Sequence, residues 1–210
     1  MRSLCNFLNE NAGYKIYNPK DMLVGNPDSY VVVTAAKTTR IFVDGRKYSI
    51  KAGVPTKVYA ARTLDCTKSH IESVDFSHFD ASTFTNFDFM FRNCNELEHV
   101  DMSGLNTSNV TSAVQMFYGC PNLKSVDLSG WNVSRLTNMD DMFAHCTNLA
   151  ELNLTGWKPS HVASMNCAFA QCGKLKDPSL KKIKFPEATI AANTNKYGYG
   201  PFQGCPAFES

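Results

Sequence analysis

Apolar side chains return to the same columns along the middle of the chain. Leu97-x-x-Val100-x-Met102, Leu123-x-x-Val126-x-Leu128 and Leu149-x-x-Leu152-x-Leu154 alternate apolar with polar residues. That is the two-residue period of a strand with one face inward. A corner follows at Gly104, Gly130 and Gly156, and then a large apolar residue at Leu105, Trp131 or Trp157, with Phe79 as the earlier equivalent. Beyond it, Met139, Met142, Phe143 and Cys146 stand at i, i+3, i+4 and i+7, which predicts one face of a short helix. Thr85 with Asp88, and Thr137 with Asp140, read as capping boxes opening such helices, with Asp in place of the usual Glu or Gln.

The columns recur at a fixed interval. Cys94, Cys120, Cys146 and Cys172 are 26 residues apart, as are Phe91, Phe117, Phe143 and Phe169, and Val74, Val100, Val126 and Leu152. A strand, a corner and a short helix cannot bury an apolar face alone, so the units are expected to stack. The predicted fold class is an α/β repeat solenoid, a short leucine-rich-repeat-like stack of strand-corner-helix units with a β-rich N-terminal cap or anchor. Residues 1–65 form that cap or anchor, 66–175 hold four 26-residue repeats, and 176–210 are a degenerate C-terminal capping repeat. The last begins at Leu175-x-x-Pro178-x-Leu180 and restores Phe202, Cys205 and Phe208. Cys172 to Cys205 spans 33 residues, seven more than one period, with the excess assigned to "NTNKYGYGP".

The front has a different pattern. In "RIFVDGRKYSI", Asp44-Gly45 separates two alternating runs, a two-residue hairpin signal. With "YVVV" before and "TKVYA" after, residues 30–60 predict a small antiparallel β unit, and 1–29 a short helix followed by a loop. This front must cover the first repeat strand near Ile71, because an open apolar end would face water.

The longer pattern C-x-x-L-x-x-V-D-L-S-G-W-N-x-S, then Met-Phe-x-x-Cys, resembles the 26-residue repeat of the BspA-like leucine-rich-repeat family of bacterial surface proteins. It spans residues 71–175, about half of the chain. Where that signature expects Asn or Cys, this sequence has Leu105, Trp131 and Trp157. The resemblance implies a cell-surface or secreted module without enzymatic activity, serving adhesion or ligand binding through the solenoid surface, with a protein or glycan partner.

Composition limits the alternatives. Lys and Arg number 21 against 19 Asp and Glu, a net charge of +2 that gives no reason to expect a nucleic-acid partner. The charges are sorted: residues 1–65 carry 10 basic and 5 acidic side chains, residues 66–175 carry 6 and 11. The longest apolar run, "YVVVTAA", is far short of the roughly 18 residues of a membrane span, so no membrane insertion is expected. The start has no apolar region of secretion-signal type. That absence supports an alternative role, a structural or receptor-binding component of an assembly such as a bacteriophage virion, with neighbouring subunits as partners.

The candidate site is the outward strand face. Asp75, Asp101, Asp127 and Asn153 are expected in one row at about 4.8 Å per strand. Ser103 and Ser129 flank it on one side, His99 and Glu151 on the other. Adjacent carboxylates repel, and two readings remain open: each Asp caps its own corner, or the row receives a polar ligand. The histidines are scattered and no nucleophile elbow or phosphate loop occurs, so no catalytic residue is assigned and the chain is not read as an enzyme. The four column cysteines are expected to be buried free thiols, while Cys5, Cys66, Cys167 and Cys205 are irregular. Their spacing suits no zinc site, and neither metal nor cofactor is expected. The tryptophan column reads as core.

Overall fold

The structure is a computed structural model and describes residues 15–17, 29–59, 64–193 and 200–208. Its strands are β1 Lys15–Tyr17, β2 Tyr30–Ala35, β3 Thr39–Val43, β4 Arg46–Ile50, β5 Thr56–Val58, β6 Leu64–Asp65, β7 Ile71–His78, β8 His99–Asp101, β9 Ser125–Asp127 and β10 Glu151–Asn153. A 3-10 turn, Pro178–Lys182, and one helix, α1 Glu187–Ala192, follow. No helix among the described residues is long and apolar enough to cross a membrane.

The hairpin forms where Asp44-Gly45 predicts it. Both residues have positive φ (49° and 78°), as a two-residue turn between twisted strands requires, and β3 pairs with β4 from Thr39↔Ile50 to Val43↔Arg46. The front is two sheets rather than one antiparallel unit. β1, β5, β2 and β7 make one, with β1 parallel to β5, while β4, β3 and β6 make another. Val31, Val33 and Ala35 alternate inward along β2. β2 pairs antiparallel with β7, so the front lies directly along the first repeat strand. The short helix expected within 1–29 falls almost wholly outside the described residues; the part described there is β1 and Ser29.

The expected α/β repeat solenoid does not form. The molecule is a set of small β-sheets, and the segments predicted as repeat helices are runs of tight turns; α1, the helix among the described residues, lies beyond the repeats. The backbone gives the reason. Phe89, Gln115, Asp141 and Cys167 are left-handed (φ 61°, 52°, 54° and 50°), and so are Asn93, Gly119, His145 and Gln171 (57°, 66°, 63° and 60°). Two such residues within five cannot continue an α-helix, and each non-glycine one costs about 1 kcal/mol or more. Hydrogen bonds to the next repeat offset that cost. The amides of Phe89, Phe91 and Asn93 donate to the carbonyls of Val114, Met116 and Tyr118 at 2.9, 2.8 and 2.8 Å. Those of Gln115, Phe117 and Gly119 donate to Asp140, Met142 and Ala144 at 2.8, 2.9 and 2.9 Å. Amides that a helix would use internally are spent between repeats.

The presumed capping boxes act the same way. Asp88 Oδ1 accepts from Ser112 Oγ at 2.6 Å and Val114 N–H at 2.8 Å, and Asp140 Oδ1 accepts from Ser164 Oγ and Asn166 N–H, both at 2.7 Å. The 26-residue period therefore survives as side-by-side registration without the helices that would make leucine-rich-repeat units.

The core follows the columns. Phe91, Phe117, Phe143 and Phe169 stack ring on ring at 5.5, 5.5 and 5.4 Å with interplanar angles of 18°, 9° and 19°. Trp131 and Trp157 stack at 6.2 Å, and their indole N–H groups donate to the carbonyls of Met102 and Leu128, both at 3.0 Å. A buried indole needs such a partner. Cys94, Cys120, Cys146 and Cys172 are buried free thiols, and the last three donate to the carbonyls of Phe91, Phe117 and Phe143. Burial pushes the Cys120 thiol up to about 12. Residues 200–208 close the far end: Phe169 N–H donates to Pro201 and Phe202 stacks on Phe169 at 5.7 Å. Most of "NTNKYGYGP" lies outside the described residues.

Candidate functional site

β8, β9 and β10 form a parallel sheet in strict register, His99↔Ser125↔Glu151, Val100↔Val126↔Leu152 and Asp101↔Asp127↔Asn153. The middle residues point into the core and the outer two of each strand point away from it. A three-residue strand followed by a tight corner leaves two outward side chains per repeat, which become two rows of three.

The corner explains one row. Asp101 Oδ1 accepts from Ser103 N–H at 2.9 Å, Asp127 Oδ1 from Ser129 N–H at 2.8 Å, and Asn153 Oδ1 from Thr155 N–H at 3.1 Å. Each is an Asx turn, so the reading in which every Asp caps its own corner describes the first oxygen of each side chain. The second oxygen is left for other partners. Asp127 uses it to accept from Asn153 Nδ2 at 3.0 Å, so the amide at the end of the row answers the neighbouring carboxylate. Partial burial works against the charge on Asp127, but hydrogen bonds from Ser129 and Asn153 outweigh it and hold the carboxyl below its ordinary value. In the other row His99 Nδ1 and Ser125 Oγ lie 2.7 Å apart. Next to it, Lys124 Nζ sits 2.6 Å from Glu98 Oε2, and that hydrogen bond and charge lower the Glu98 carboxyl.

Over these rows runs a groove of about 890 Å³, within the range of roughly 300–1,000 Å³ usual for ligand sites. His99, Asp101, Ser125, Asp127, Glu151 and Asn153 form its floor, and Asp177, Leu180, Lys182 and Ile183 its far wall. Of the residues predicted from sequence, the structure brings together His99, Asp101, Asp127, Glu151 and Asn153. It does not bring in Asp75, which lies on β7 and caps Ser77 N–H at 2.8 Å, nor Ser103 and Ser129, whose amides are held by the Asx turns. Sequence reasoning missed the far wall, although a signal was present: Asp177 is the next 26-residue step after His99, Ser125 and Glu151. Among the described residues, no three His, Cys, Asp or Glu side chains are grouped to hold a metal ion.

No curated protein and no solved structure matches the chain. A family model does, described as "Mycoplasma protein of unknown function, DUF285", over residues 62–183, or 122 of 210 residues. This match overturns the assignment to the BspA-like leucine-rich-repeat family, whose strand-corner-helix units the backbone also lacks. The matched segment carries β6 to β10 and every residue lining the groove, and the chain belongs to the DUF285 family.

Proposed function

We propose that this protein is a non-enzymatic interaction module that takes a protein or glycan ligand in the groove over β8, β9 and β10. The observation that carries this reading is the set of outward polar side chains at one-strand intervals, His99, Asp101, Ser125, Asp127, Glu151 and Asn153, all on the floor of one groove of about 890 Å³. Such a floor offers hydrogen-bond acceptors and donors at fixed spacing to a ligand held in the groove. The Asp101, Asp127 and Asn153 row repeats one Asx turn from strand to strand, whereas a catalytic centre needs one distinct group in one place.

The test is binding of glycan and protein arrays by the native chain and by Asp101→Asn with Asp127→Asn. Asn keeps the Asx-turn oxygen, as Asn153 does naturally, and removes the charge. Ligands bound by the native chain should be lost or weakened about tenfold by the double variant, the loss of one good polar contact. Undiminished binding by a folded variant, or turnover of a captured ligand, refutes the proposal.

A further inference from the structure

The sheet of β8, β9 and β10 stops at β10, and no fourth strand follows it among the described residues. Continuing the 26-residue step from Glu151, Leu152 and Asn153 reaches Asp177, Pro178 and Ser179. Proline has no N–H to donate and a fixed φ, and here the chain enters the 3-10 turn Pro178–Lys182 instead. Leu175 and Leu180 nevertheless stay buried in the core columns. The segment remains on the molecule but leaves the edge of β10.

The hydrogen bonds show what that edge lacks. Met102 N–H donates to the Asp127 carbonyl and Leu128 N–H to the Asn153 carbonyl, both at 2.9 Å; the next in the series, Leu154 N–H, has no acceptor among the described residues. The Glu98 carbonyl accepts from Lys124 N–H at 2.7 Å and the Lys124 carbonyl from Ala150 N–H at 3.0 Å; the Ala150 carbonyl has no such donor among the described residues. Main-chain alternation turns the N–H and C=O of Leu152 to this same side. Where Trp131 and Trp157 reach back to a carbonyl, the next place holds Ile183, which has no side-chain N–H. The edge thus presents a row of main-chain donors and acceptors at strand spacing, and Ala150, Leu152 and Leu154 all line the groove.

We infer that the ligand is an extended polypeptide segment that pairs with β10 as an added strand, with a cationic side chain beside Glu151. This rests on the groove being the binding site and names its occupant. A peptide backbone matches a row of alternating N–H and C=O groups, the mode in which sheet edges recruit partners. The Glu151 carboxylate beside that edge, with the charges of Asp127 and Asp101 further along the same floor, favours Lys or Arg among such segments.

The experiment is selection of linear octapeptides from a phage-displayed library on the full chain, followed by synthesis of the enriched sequences and fluorescence anisotropy. Each peptide is also made with alternate amides N-methylated in the two possible registers. The expected result is enrichment of extended peptides bearing Lys or Arg, with one register of methylation weakening binding about tenfold and the other leaving it nearly unchanged. On binding, the amides of Leu152 and Leu154 should gain hydrogen-exchange protection of about tenfold or more by NMR. Equal effects of the two registers, or unchanged exchange at both amides, overturn the added strand; if Asp101→Asn with Asp127→Asn still abolishes binding, the groove itself stands. Enrichment of no peptide also overturns it, and glycan binding lost in that variant would then identify the other ligand class.

Discussion

Replacing Phe143 with Ala removes a ring that is wholly buried and sandwiched between Phe117 at 5.5 Å and Phe169 at 5.4 Å. A fully buried Phe→Ala change destabilises by about 3–5 kcal/mol. Within that figure, each lost ring pair accounts for about 0.5–1.5 kcal/mol. The neighbouring backbone is pinned to both flanking repeats, Phe117 N–H to Met142 at 2.9 Å and Phe143 N–H to Ala168 at 2.8 Å, so the site cannot collapse freely and the upper half of the range is expected. Urea unfolding followed by fluorescence of the buried Trp131 and Trp157 measures it. Phe42→Ala, at a ring 44% exposed on β3, is the control, and should shift stability by about 1 kcal/mol or less. Phe143→Leu, costing about 1–1.5 kcal/mol, serves if the alanine variant does not fold. A double-mutant cycle sharpens the argument: Phe117 with Phe143 should couple by about 0.5–1.5 kcal/mol, while Phe91 with Phe143, two repeats apart, should add within about 0.5 kcal/mol. A loss below about 2 kcal/mol for Phe143→Ala, or equal coupling in both cycles, refutes the ring column as a main source of cohesion.

Gly130 has φ +78° and an added Cβ would lie 2.9 Å from the Ser103 carbonyl oxygen, whereas Gly156 at φ +90° has nothing within 4 Å. Gly130→Ala should therefore lower stability by about 1–3 kcal/mol in urea titration, and Gly156→Ala by the backbone term of about 1 kcal/mol alone; equal losses would dismiss the close approach. Burial raises Cys120 to about 12, so between about pH 9 and 12 the unfolded chain loses the proton that the folded chain keeps, and stability falls by about 1 kcal/mol per pH unit for that thiol. Chemical denaturation at pH 8 and 10 should show Cys120→Ala with the shallower decline, and an unchanged slope would contradict the buried-thiol assignment. Native thiol titration should label Cys167, which is half-buried, before any of Cys94, Cys120, Cys146 or Cys172, which need unfolding first; fast labelling of the column would contradict the packing.

Column identity was legible in the sequence and local conformation was not. The spacing of Phe, Cys and Leu located the core side chains and the Asp44-Gly45 hairpin without coordinates, because burial and turn chemistry act on residue type. The helix reading failed at Phe89, Gln115, Asp141 and Cys167. None of these residues advertises a left-handed backbone, and the hydrogen bonds that hold Phe89, Gln115 and Asp141 there go to carbonyls of the next repeat, 25 residues on in the chain. A spacing of i, i+3, i+4 and i+7 marks an inward face, and a ladder of turns presents one as well as a helix does. The floor of the groove followed from strand alternation. The wall at Asp177 and Lys182 did not, because Pro178 interrupts the pattern while the chain continues to pack.

The tandem indoles have a practical consequence. Their rings lie 6.2 Å apart in adjoining repeats, and each N–H is tied to main chain one repeat further back, so Trp131 and Trp157 span three consecutive units between them. Slippage of either interface would admit water to an indole and red-shift its emission before the whole chain unfolds. The protein carries its own optical strain gauge, and Trp131→Phe and Trp157→Phe would read the two interfaces one at a time.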